Sequence, residues 1–213
     1  MAFALVLAGG DPPDRQLLDG GQAAELVIAA DSGVKVARAH GLPIHVVVGD
    51  LDSVSDGDLA WAKAEGAEIV RVPEDKDFTD LELALERAGQ ADVDRILVMG
   101  VSGGRIDHEL GNWAVLCAAR TQLVEIVTGG GTVTVLHGDA VNEVRLVGAP
   151  GDVVSILARN GKAVGVTTSG LRWPLFDATL SPTSSHGVSN EFTGEAASIS
   201  VSSGTVVVAR PSV

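Results

Sequence analysis

Two carboxylates stand directly after a short apolar run in the first half of the chain. Asp50 and Asp52 follow Val46–Val48 and are two residues apart. Side chains at this spacing point the same way in an extended backbone, so both could face one ion. Carboxylate oxygens suit Mg²⁺, which prefers hard ligands. The alternatives are a solvated turn, or Asp52 as the N-cap of a helix around Leu59.

A second acidic cluster spans Asp75–Asp80 and leads into a segment with apolar residues at helical spacing. Thr79 or Asp80 could cap that helix. Two carboxylate clusters after neighbouring strands would repel each other unless a cation lay between them, so the pattern again indicates a metal site. Lys76 lies among these acids, where it could contact a phosphate or form a surface ion pair.

A third segment, Gly100–His108, combines glycines with Arg105, Asp107 and His108 just before another helical pattern. Glycines let backbone N–H groups approach phosphates, and a helix N-terminus favours anions. Arg105 could bind a phosphate through two hydrogen bonds. The alternative is a structural loop with Asp107 as the N-cap. The segment matches neither the common NTPase phosphate loop nor the dinucleotide-binding fingerprint.

These segments follow apolar runs that alternate with helical patterns up to about residue 128. The predicted strands are Phe3–Ala8, Leu26–Ala30, Val46–Val48, Ile69–Val72, Ile96–Met99 and Val124–Val127. The predicted helices are Val34–Ala39, Leu59–Ala64, Leu81–Ala88 and Leu110–Ala119. This alternation predicts an α/β fold with a doubly wound, mostly parallel sheet, in which ligands bind at the carboxyl ends of the strands.

The remainder of the chain is rich in Val, Thr, Ser and Gly and has no convincing helical pattern. Its predicted strands are Thr132–Leu136, Val144–Val147, Val153–Leu157, Ala163–Val166, Ser198–Val201 and Thr205–Ala209. Short alternating runs separated by turn residues predict an all-β sandwich. We therefore expect two domains, 1–128 and 129–213.

Charge and composition restrict the partners. The net charge of −13 disfavours nucleic acid and anionic membranes, and almost all of it falls in the first domain. The single cysteine, Cys117, lies in an apolar stretch and is expected to be a buried thiol. The apolar run at the start is too short for a signal peptide or a membrane span, which predicts a cytoplasmic protein.

Taken in order, several blocks together resemble the signature segments of the thiamine pyrophosphokinase family, in its bacterial form. The blocks are Asp31-Ser32-Gly33, Gly49-Asp50-Leu51-Asp52-Ser53, Asp75-Lys76-Asp77-Phe78-Thr79-Asp80, Gly103-Gly104-Arg105-Ile106-Asp107-His108, Gly170-Leu171-Arg172-Trp173-Pro174-Leu175 and Ser189-Asn190-Glu191. The resemblance covers nearly the whole chain. It implies an α/β catalytic domain that binds ATP and Mg²⁺, a β-sandwich that binds thiamine, and a homodimer with active sites between subunits.

The family's chemistry implies roles for individual residues. In that chemistry the thiamine hydroxyl attacks the β-phosphorus of ATP, and thiamine diphosphate and AMP form. The resemblance implies that Asp50, Asp52 and Asp80 hold Mg²⁺ directly or through water, and that Arg105 and Lys76 steady the triphosphate. The further residues expected at the ATP site are Asp31, Ser32, Thr79, Gly103, Gly104 and His108. The hydroxyl proton could pass to Asp77, Asp107 or His108, and the Asp31 loop could touch either ATP or thiamine.

For thiamine, the resemblance implies that Trp173 stacks on the ligand and that Ser189 and Asn190 hydrogen-bond its pyrimidine. Without the resemblance, Trp173 reads as a core aromatic of the sandwich and the other two as an ordinary turn. Three other functions stay open from the residues alone. They are a pyrophosphokinase for another heterocyclic alcohol such as a hydroxymethylpterin, a metal-dependent phosphoesterase, and a sensor of a nucleotide or thiamine diphosphate.

Overall fold

The computed structural model describes residues 1–13, 18, 20–120 and 122–212. The chain forms two compact units, Met1–Gly129 and Gly130–Val213. None of the helices in the described part of the chain has the length and apolar character that crossing a membrane requires.

The first unit contains a six-stranded sheet in which every strand pair is parallel. Its strands are β1 Phe3–Leu7, β2 Leu26–Ala30, β3 Val46–Gly49, β4 Glu68–Arg71, β5 Arg95–Met99 and β6 Leu123–Thr128. The spatial order is β4-β3-β2-β1-β5-β6. All five residues of β1 are buried, as expected for a central strand. The half-exposed β4 lies at the edge.

Four α-helices and a 3₁₀ turn, Gly20–Ala23, connect these strands in the described part of the first unit. The helices are α1 Gly33–His40, α2 Asp56–Ala64, α3 Asp80–Gly89 and α4 Ile106–Leu116. Side chains of the strands and helices form the core, including Leu5, Leu7, Val34, Val47 and Ala62. This aliphatic packing fixes the strand ends from which the polar loops emerge.

The order of the strands creates a switch point between β1 and β5. The chain winds outward from β1 to β4 in one direction and then crosses back to place β5 on the other side of β1. Ligands of open α/β sheets bind at such a switch point, outside the carboxyl ends of the strands. The fold therefore indicates where a ligand site should lie.

The second unit is built from antiparallel pairs throughout its described residues. Its strands are β7 Gly131–His137, β8 Glu143–Val147, β9 Val153–Ser169, β10 Ala178–Leu180, β11 Asn190–Glu191, β12 Ala196–Ser200 and β13 Ser203–Pro211. The long strand β9 pairs with β13 and β11 through its first half, and with β12 and β10 through its second.

The predicted separation of Val153–Leu157 from Ala163–Val166 was wrong, because both belong to β9. Asn160 and Gly161 have positive φ angles of 57° and 134°, which is typical of a tight turn. Here they form a bulge, since the neighbouring β13 advances from Ser203 to Thr205 while β9 moves from Val164 to Arg159. The strand bends at this point and continues.

Candidate active site

A cleft of 540 Å³ lies in the first unit, at the carboxyl ends of the parallel strands. It is lined by the loops that follow β1, β2, β3, β4 and β5 and by residues of α3 and α4. Among its lining residues are eleven that the sequence predicted: Asp31, Ser32, Asp50, Asp52, Lys76, Thr79, Asp80, Gly103, Gly104, Arg105 and His108. The cleft therefore coincides with the switch point of the sheet.

Three carboxylates converge in this cleft. Asp31, Asp50 and Asp80 each contribute one oxygen, and these oxygens lie within 4.8 Å of one another. Oδ1 of Asp31 and Oδ1 of Asp80 are buried and have no hydrogen-bond partner among the described residues. Buried polar atoms are rarely left unsatisfied, so two of them close to a third carboxylate favour a bound cation. Three hard oxygen donors fit Mg²⁺.

The charges within the cluster affect one another. A hydrogen bond from the backbone N–H of Asp52 lowers the pKa of Asp50, and Lys76 adds to this effect against the cost of burial. Burial raises the pKa of Asp80 despite its contact with Lys76. The charge of Asp50 raises the pKa of Asp52. The site thus carries more negative charge than its one close ammonium group balances, which favours binding of a divalent cation.

The backbone around Leu51 explains why Asp52 lies outside the cluster. Leu51 is buried and has a left-handed φ of 66°, so the segment is not extended there. The rule that residues two apart share a face therefore fails, and Asp50 points into the cluster while Asp52 is exposed at the cleft wall. Left-handed backbone costs about 1 kcal/mol for such a residue. Burial of the leucine side chain offsets this cost.

Asp31 takes the third place in the cluster. Its backbone is also left-handed, with φ 46°, and its N–H donates to the carbonyl of Val48 at 2.8 Å. The hydroxyl of Ser53 donates to Oδ2 of Asp31, which leaves Oδ1 as the free acceptor. Space is tight here, since a Cβ on Gly49 would lie 3.1 Å from that of Asp31 and 3.3 Å from Cγ of Asp80. The closely packed strand end thus holds these carboxylates together.

The glycine-rich loop after β5 is fixed against the loop after β1. Gly10 N–H donates to the carbonyl of Gly100 at 2.8 Å, and a Cβ at Gly10 would lie only 2.3 Å from the carbonyl oxygen of Ser102. Two side chains of α4 hold the loop from the other side. Glu109 accepts from the N–H of Gly103 at 3.2 Å, and the Asn112 amide donates to the carbonyl of Val101 at 3.0 Å.

Arg105 reaches the cleft from this loop but is paired in the structure with Asp107. Its Nε donates to Oδ1 of Asp107 at 3.1 Å, and a terminal nitrogen donates to the other carboxylate oxygen. Both side chains are more than half exposed. The hydrogen bonds from Arg105 lower the pKa of Asp107 to about 2. An exposed pair of this kind contributes little stability, so the guanidinium can leave it for a phosphate at small cost.

The helix caps differ partly from the alternatives considered above. Thr79 caps α3, because its hydroxyl accepts from the N–H of Glu82 at 3.2 Å. Asp52 is not a cap, since Ser55 caps α2 by accepting from Asp58 N–H. Asp107 is not the N-cap of α4 either, because the helix begins at Ile106 and Asp107 lies in its first turn.

Some residues of the cleft were not singled out from the sequence, and two that were do not line it. Ser53 and Asn112 line the cleft, and the sequence signal for Ser53 was its place beside the acidic pair. Asn112 lies four residues after His108 on α4, a helical spacing that could have revealed a shared face. Asp77 and Asp107 are exposed and are not part of the lining of this cleft.

In the second unit, Asn190 fixes the backbone of Trp173. Asn190 is only 3% exposed, its Oδ1 accepts from Trp173 N–H at 3.0 Å, and its Nδ2 donates to the Trp173 carbonyl at 2.7 Å. The indole of Trp173 is 51% exposed, so it is not a core aromatic. The guanidinium of Arg172 lies 4.8 Å from its ring centre and is paired with Glu191 at 2.8 Å. One face of the indole is therefore occupied from within the chain.

Ser189 lies beside this arrangement but differs from Asn190 in its surroundings. It is exposed and has a left-handed φ of 58°. Its N–H donates to the hydroxyl of Ser155 at 3.0 Å. Its side chain is thus presented to solvent by a constrained turn, whereas the side chain of Asn190 is used mainly within the protein.

Together, the fold and the cleft define a two-unit protein: an α/β unit with a cation-binding type of site at its switch point, followed by an antiparallel β unit. Residues 20–128 match the family model for the catalytic domain of thiamin pyrophosphokinase, and residues 142–206 match the model for its vitamin B1 binding domain. The chain belongs to the thiamin pyrophosphokinase family.

Individual relatives agree with this assignment. The chain is 29% identical over 143 residues to thiamine pyrophosphokinase 1 of Oryza sativa subsp. japonica, covering 64% of this chain and 54% of the relative. It is 33% identical over 91 residues to thiamine pyrophosphokinase of Bacillus subtilis (strain 168), covering 43% and 42%. The matched part thus spans about half the length of these relatives.

Solved structures share the fold over greater lengths. The crystal structure of thiamine pyrophosphokinase from Bacillus subtilis has a TM-score of 0.83 at 24% identity, covering all of both chains. Thiamin pyrophosphokinase from Candida albicans has a TM-score of 0.79 at 14% identity, covering 98% of this chain and 89% of that one. At these identities the likeness concerns the fold.

Proposed function

We propose that this protein transfers the β,γ-diphosphate of ATP to the hydroxyl of thiamine and releases thiamine diphosphate and AMP. The observation that carries the proposal is the carboxylate cluster of Asp31, Asp50 and Asp80. This cluster lies in the cleft that is also lined by Arg105 and the glycine-rich loop after β5. A triphosphate needs charge neutralisation near the transferred group, and this cleft offers both a cation site and a guanidinium. The family's two domain matches supply the identity of the acceptor.

For the metal, we propose that Asp31, Asp50 and Asp80 hold Mg²⁺ and that Asp52 contacts it through water. A cation held by these carboxylates would supply positive charge that offsets the negative charge developing on the phosphates during transfer. Ser53 orients Asp31 by occupying its other oxygen. Such hydrogen bonds to a ligand's second atom fix the geometry of metal sites.

For the nucleotide, Arg105 and the backbone of Gly103 and Gly104 are the proposed phosphate contacts, with Ser32, Thr79 and His108 around them. We assign Asp107 no role as a general base, because it is exposed and is not part of the lining of the cleft. Asp77 is exposed outside the cleft lining. Positioning and electrostatic stabilisation then supply most of the rate enhancement.

For thiamine, the second unit is the proposed binding unit, with Trp173 as its stacking residue. The open face of the indole suits the flat, cationic ligand, because cations and π-systems pack favourably on tryptophan. Ser189 is a proposed hydrogen-bond partner of the pyrimidine. Asn190 contributes mainly by holding the Trp173 backbone, since most of its hydrogen-bonding capacity is used internally.

The remaining proposals concern architecture and setting. We propose a doubly wound first domain of residues 1–128 and a β-sandwich second domain of residues 129–213, supported by the parallel strand order and by the strand β9 shared between two sets of neighbours. We also propose a homodimer, which the family resemblance supports. A cytoplasmic location remains a prediction from the sequence.

The direct test is to incubate the purified protein with ATP, MgCl₂ and thiamine and to separate the products by chromatography. We expect AMP and thiamine diphosphate in equal amounts. ADP with thiamine monophosphate would instead mean attack at the γ-phosphorus. Free phosphate without a thiamine product would indicate a hydrolase, and turnover only with a hydroxymethylpterin would indicate another acceptor.

Trp173→Ala tests the role of the second unit. We expect the KM for thiamine to rise about tenfold while the KM for ATP changes less than twofold, because a cation–π contact contributes about 0.5 to 2 kcal/mol. Truncation leaves the Asn190 contacts to the backbone of residue 173 in place, and the half-exposed ring fills little core volume. Equal increases in both KM values, with a lowered Tm, would contradict the assignment and indicate a packing role.

A further inference from the structure

Lys76 lies directly on the carboxylates of the proposed metal site. Its Nζ is 3.2 Å from Oδ1 of Asp80 and 3.5 Å from Oδ2 of Asp50. It also donates to the carbonyl of Pro73 at 3.3 Å. The side chain is only 15% exposed, so this is a partly buried contact and not a surface ion pair.

The ammonium group takes only part of what these oxygens can accept. Although Nζ is 3.2 Å from Oδ1 of Asp80, that oxygen has no hydrogen bond of acceptable geometry. Oδ1 of Asp31 is likewise unpartnered among the described residues. Lys76 thus donates to Oδ2 of Asp50 and balances part of the charge of the cluster, but it leaves Oδ1 of Asp31 and Oδ1 of Asp80 without a hydrogen bond. A compact ammonium group behaves in this way when it occupies the place of a chelated ion.

An ammonium and a divalent cation would compete for these oxygens. Both Asp50 and Asp80 belong to the group that can hold one ion, and two cations drawn to the same pair of carboxylates repel each other strongly in a partly buried site. The side chain of lysine carries its ammonium group on a flexible four-carbon stem, so this group can move within the cleft. Lys76 lines the same cleft as Arg105, the proposed phosphate contact.

We propose that Lys76 acts as a built-in substitute for the metal ion, holding Asp50 and Asp80 together in metal-free protein and moving to the phosphates of the nucleotide when a divalent cation binds. The inference rests on the proposed function. It gives Lys76 two positions: on the carboxylates before loading, and on the nucleotide afterwards. The lysine thereby prevents carboxylate repulsion from opening the site, and it lowers the affinity for metal until a nucleotide is present to receive its charge.

The test is calorimetric titration of MgCl₂ into the full-length, nucleotide-free protein. We expect Lys76→Met to bind Mg²⁺ about tenfold more tightly than the unsubstituted protein, because the competing charge is gone. Lys76→Arg keeps the charge and should bind Mg²⁺ as the unsubstituted protein does. Lys63→Met is the matched control, since it removes an exposed lysine of α2 with the same change in net charge.

Thermal unfolding supplies a second measurement. Without metal, Lys76→Met should have a lower Tm than the unsubstituted protein. The same concentration of MgCl₂ should raise its Tm by more, because a ligand bound only by the folded state stabilises that state more when it binds more tightly. A purely structural ion pair would also lower the Tm when removed, but it would not tighten metal binding. The titration therefore separates the two roles.

Three results would overturn the proposal. First, Lys76→Met could bind Mg²⁺ no more tightly than the unsubstituted protein, which would show that Lys76 does not compete with the metal. Tightening by Lys63→Met to the same extent would attribute the effect to net charge. If the unsubstituted protein binds no Mg²⁺ and forms no thiamine diphosphate, the proposed function fails too, whereas an active, Mg²⁺-binding protein with unchanged affinity in Lys76→Met refutes only the role of Lys76.

Discussion

Replacing Asp50 by asparagine should lower kcat/KM for thiamine diphosphate formation by about 10³-fold, or roughly 4 kcal/mol of transition-state stabilisation. Asp50 belongs to the carboxylate cluster, and a hydrogen bond from Asp52 N–H keeps it ionised. Asparagine retains the size of the side chain and removes one negative charge from the proposed metal ligands. Steady-state assays at saturating ATP, together with titration of MgCl₂, would measure the loss.

Neighbouring aspartates provide the control for this substitution. Asp31→Asn should share most of the loss, since Asp31 supplies an unpartnered buried oxygen to the cluster. Asp52→Asn should cost about 10- to 100-fold, the range for groups that act on a metal through another ligand or water. Asp50→Asn with nearly full activity would refute the metal site. A larger loss of activity for Asp52→Asn than for Asp31→Asn would mean that Asp52, and not Asp31, is the third ligand of the metal site.

The Asp50 segment shows how far local sequence rules reach. Its carboxylates after an apolar run correctly indicated the edge of the sheet where the cleft lies, because the direction of parallel strands decides that edge. The two-residue spacing did not decide which carboxylates meet. That depends on the left-handed turn at Leu51, which in turn depends on burial of a leucine side chain by distant parts of the chain.

The secondary structure illustrates the same limit. Apolar periodicity located the strands and helices of the first unit within a few residues. The Asn160-Gly161 pair carried a strong local turn signal that pairing of β9 with β13 overrode. These two residues form a bulge inside a continuous strand instead of a turn between two strands. Only the long-range pairing of the strands distinguishes a bulge from a turn.

Long-range contacts also decide which polar residues touch a ligand and which hold others in place. Asn190 and Trp173 are 17 residues apart in the chain, and no local pattern indicates that one side chain binds the other's backbone. Ser53 similarly meets Asp31 across 22 residues. Short sequence motifs identify the segments that form a site. Tertiary packing decides which of their residues can bind the ligand and which hold other residues in position.

Arg105→Ala should reduce kcat/KM by about 10²- to 10³-fold, the usual cost of removing one preorganised group that stabilises transition-state charge. The substitution should leave the Tm nearly unchanged, because Arg105 is exposed and its ion pair with Asp107 contributes little stability. Arg105→Lys should recover only part of the activity, since an ammonium cannot make the two parallel hydrogen bonds of a guanidinium. Kinetics with ATP and thiamine varied separately would locate the loss.

Asp107→Asn tests whether Asp107 accepts the hydroxyl proton, as the sequence left open, or only pairs with Arg105, as in the structure. If Asp107 only pairs with Arg105, removing its charge frees the guanidinium for phosphate, and activity should stay within about threefold because an exposed ion pair costs little to break. If Asp107 accepted the hydroxyl proton, the loss would be about 10²- to 10⁴-fold. Asp107 is exposed and is not part of the lining of the cleft, which favours the first outcome. A large loss of activity in Asp107→Asn, restored by an added base such as imidazole, would identify Asp107 as a general base. It would contradict our proposal that positioning and electrostatic stabilisation suffice for the transfer.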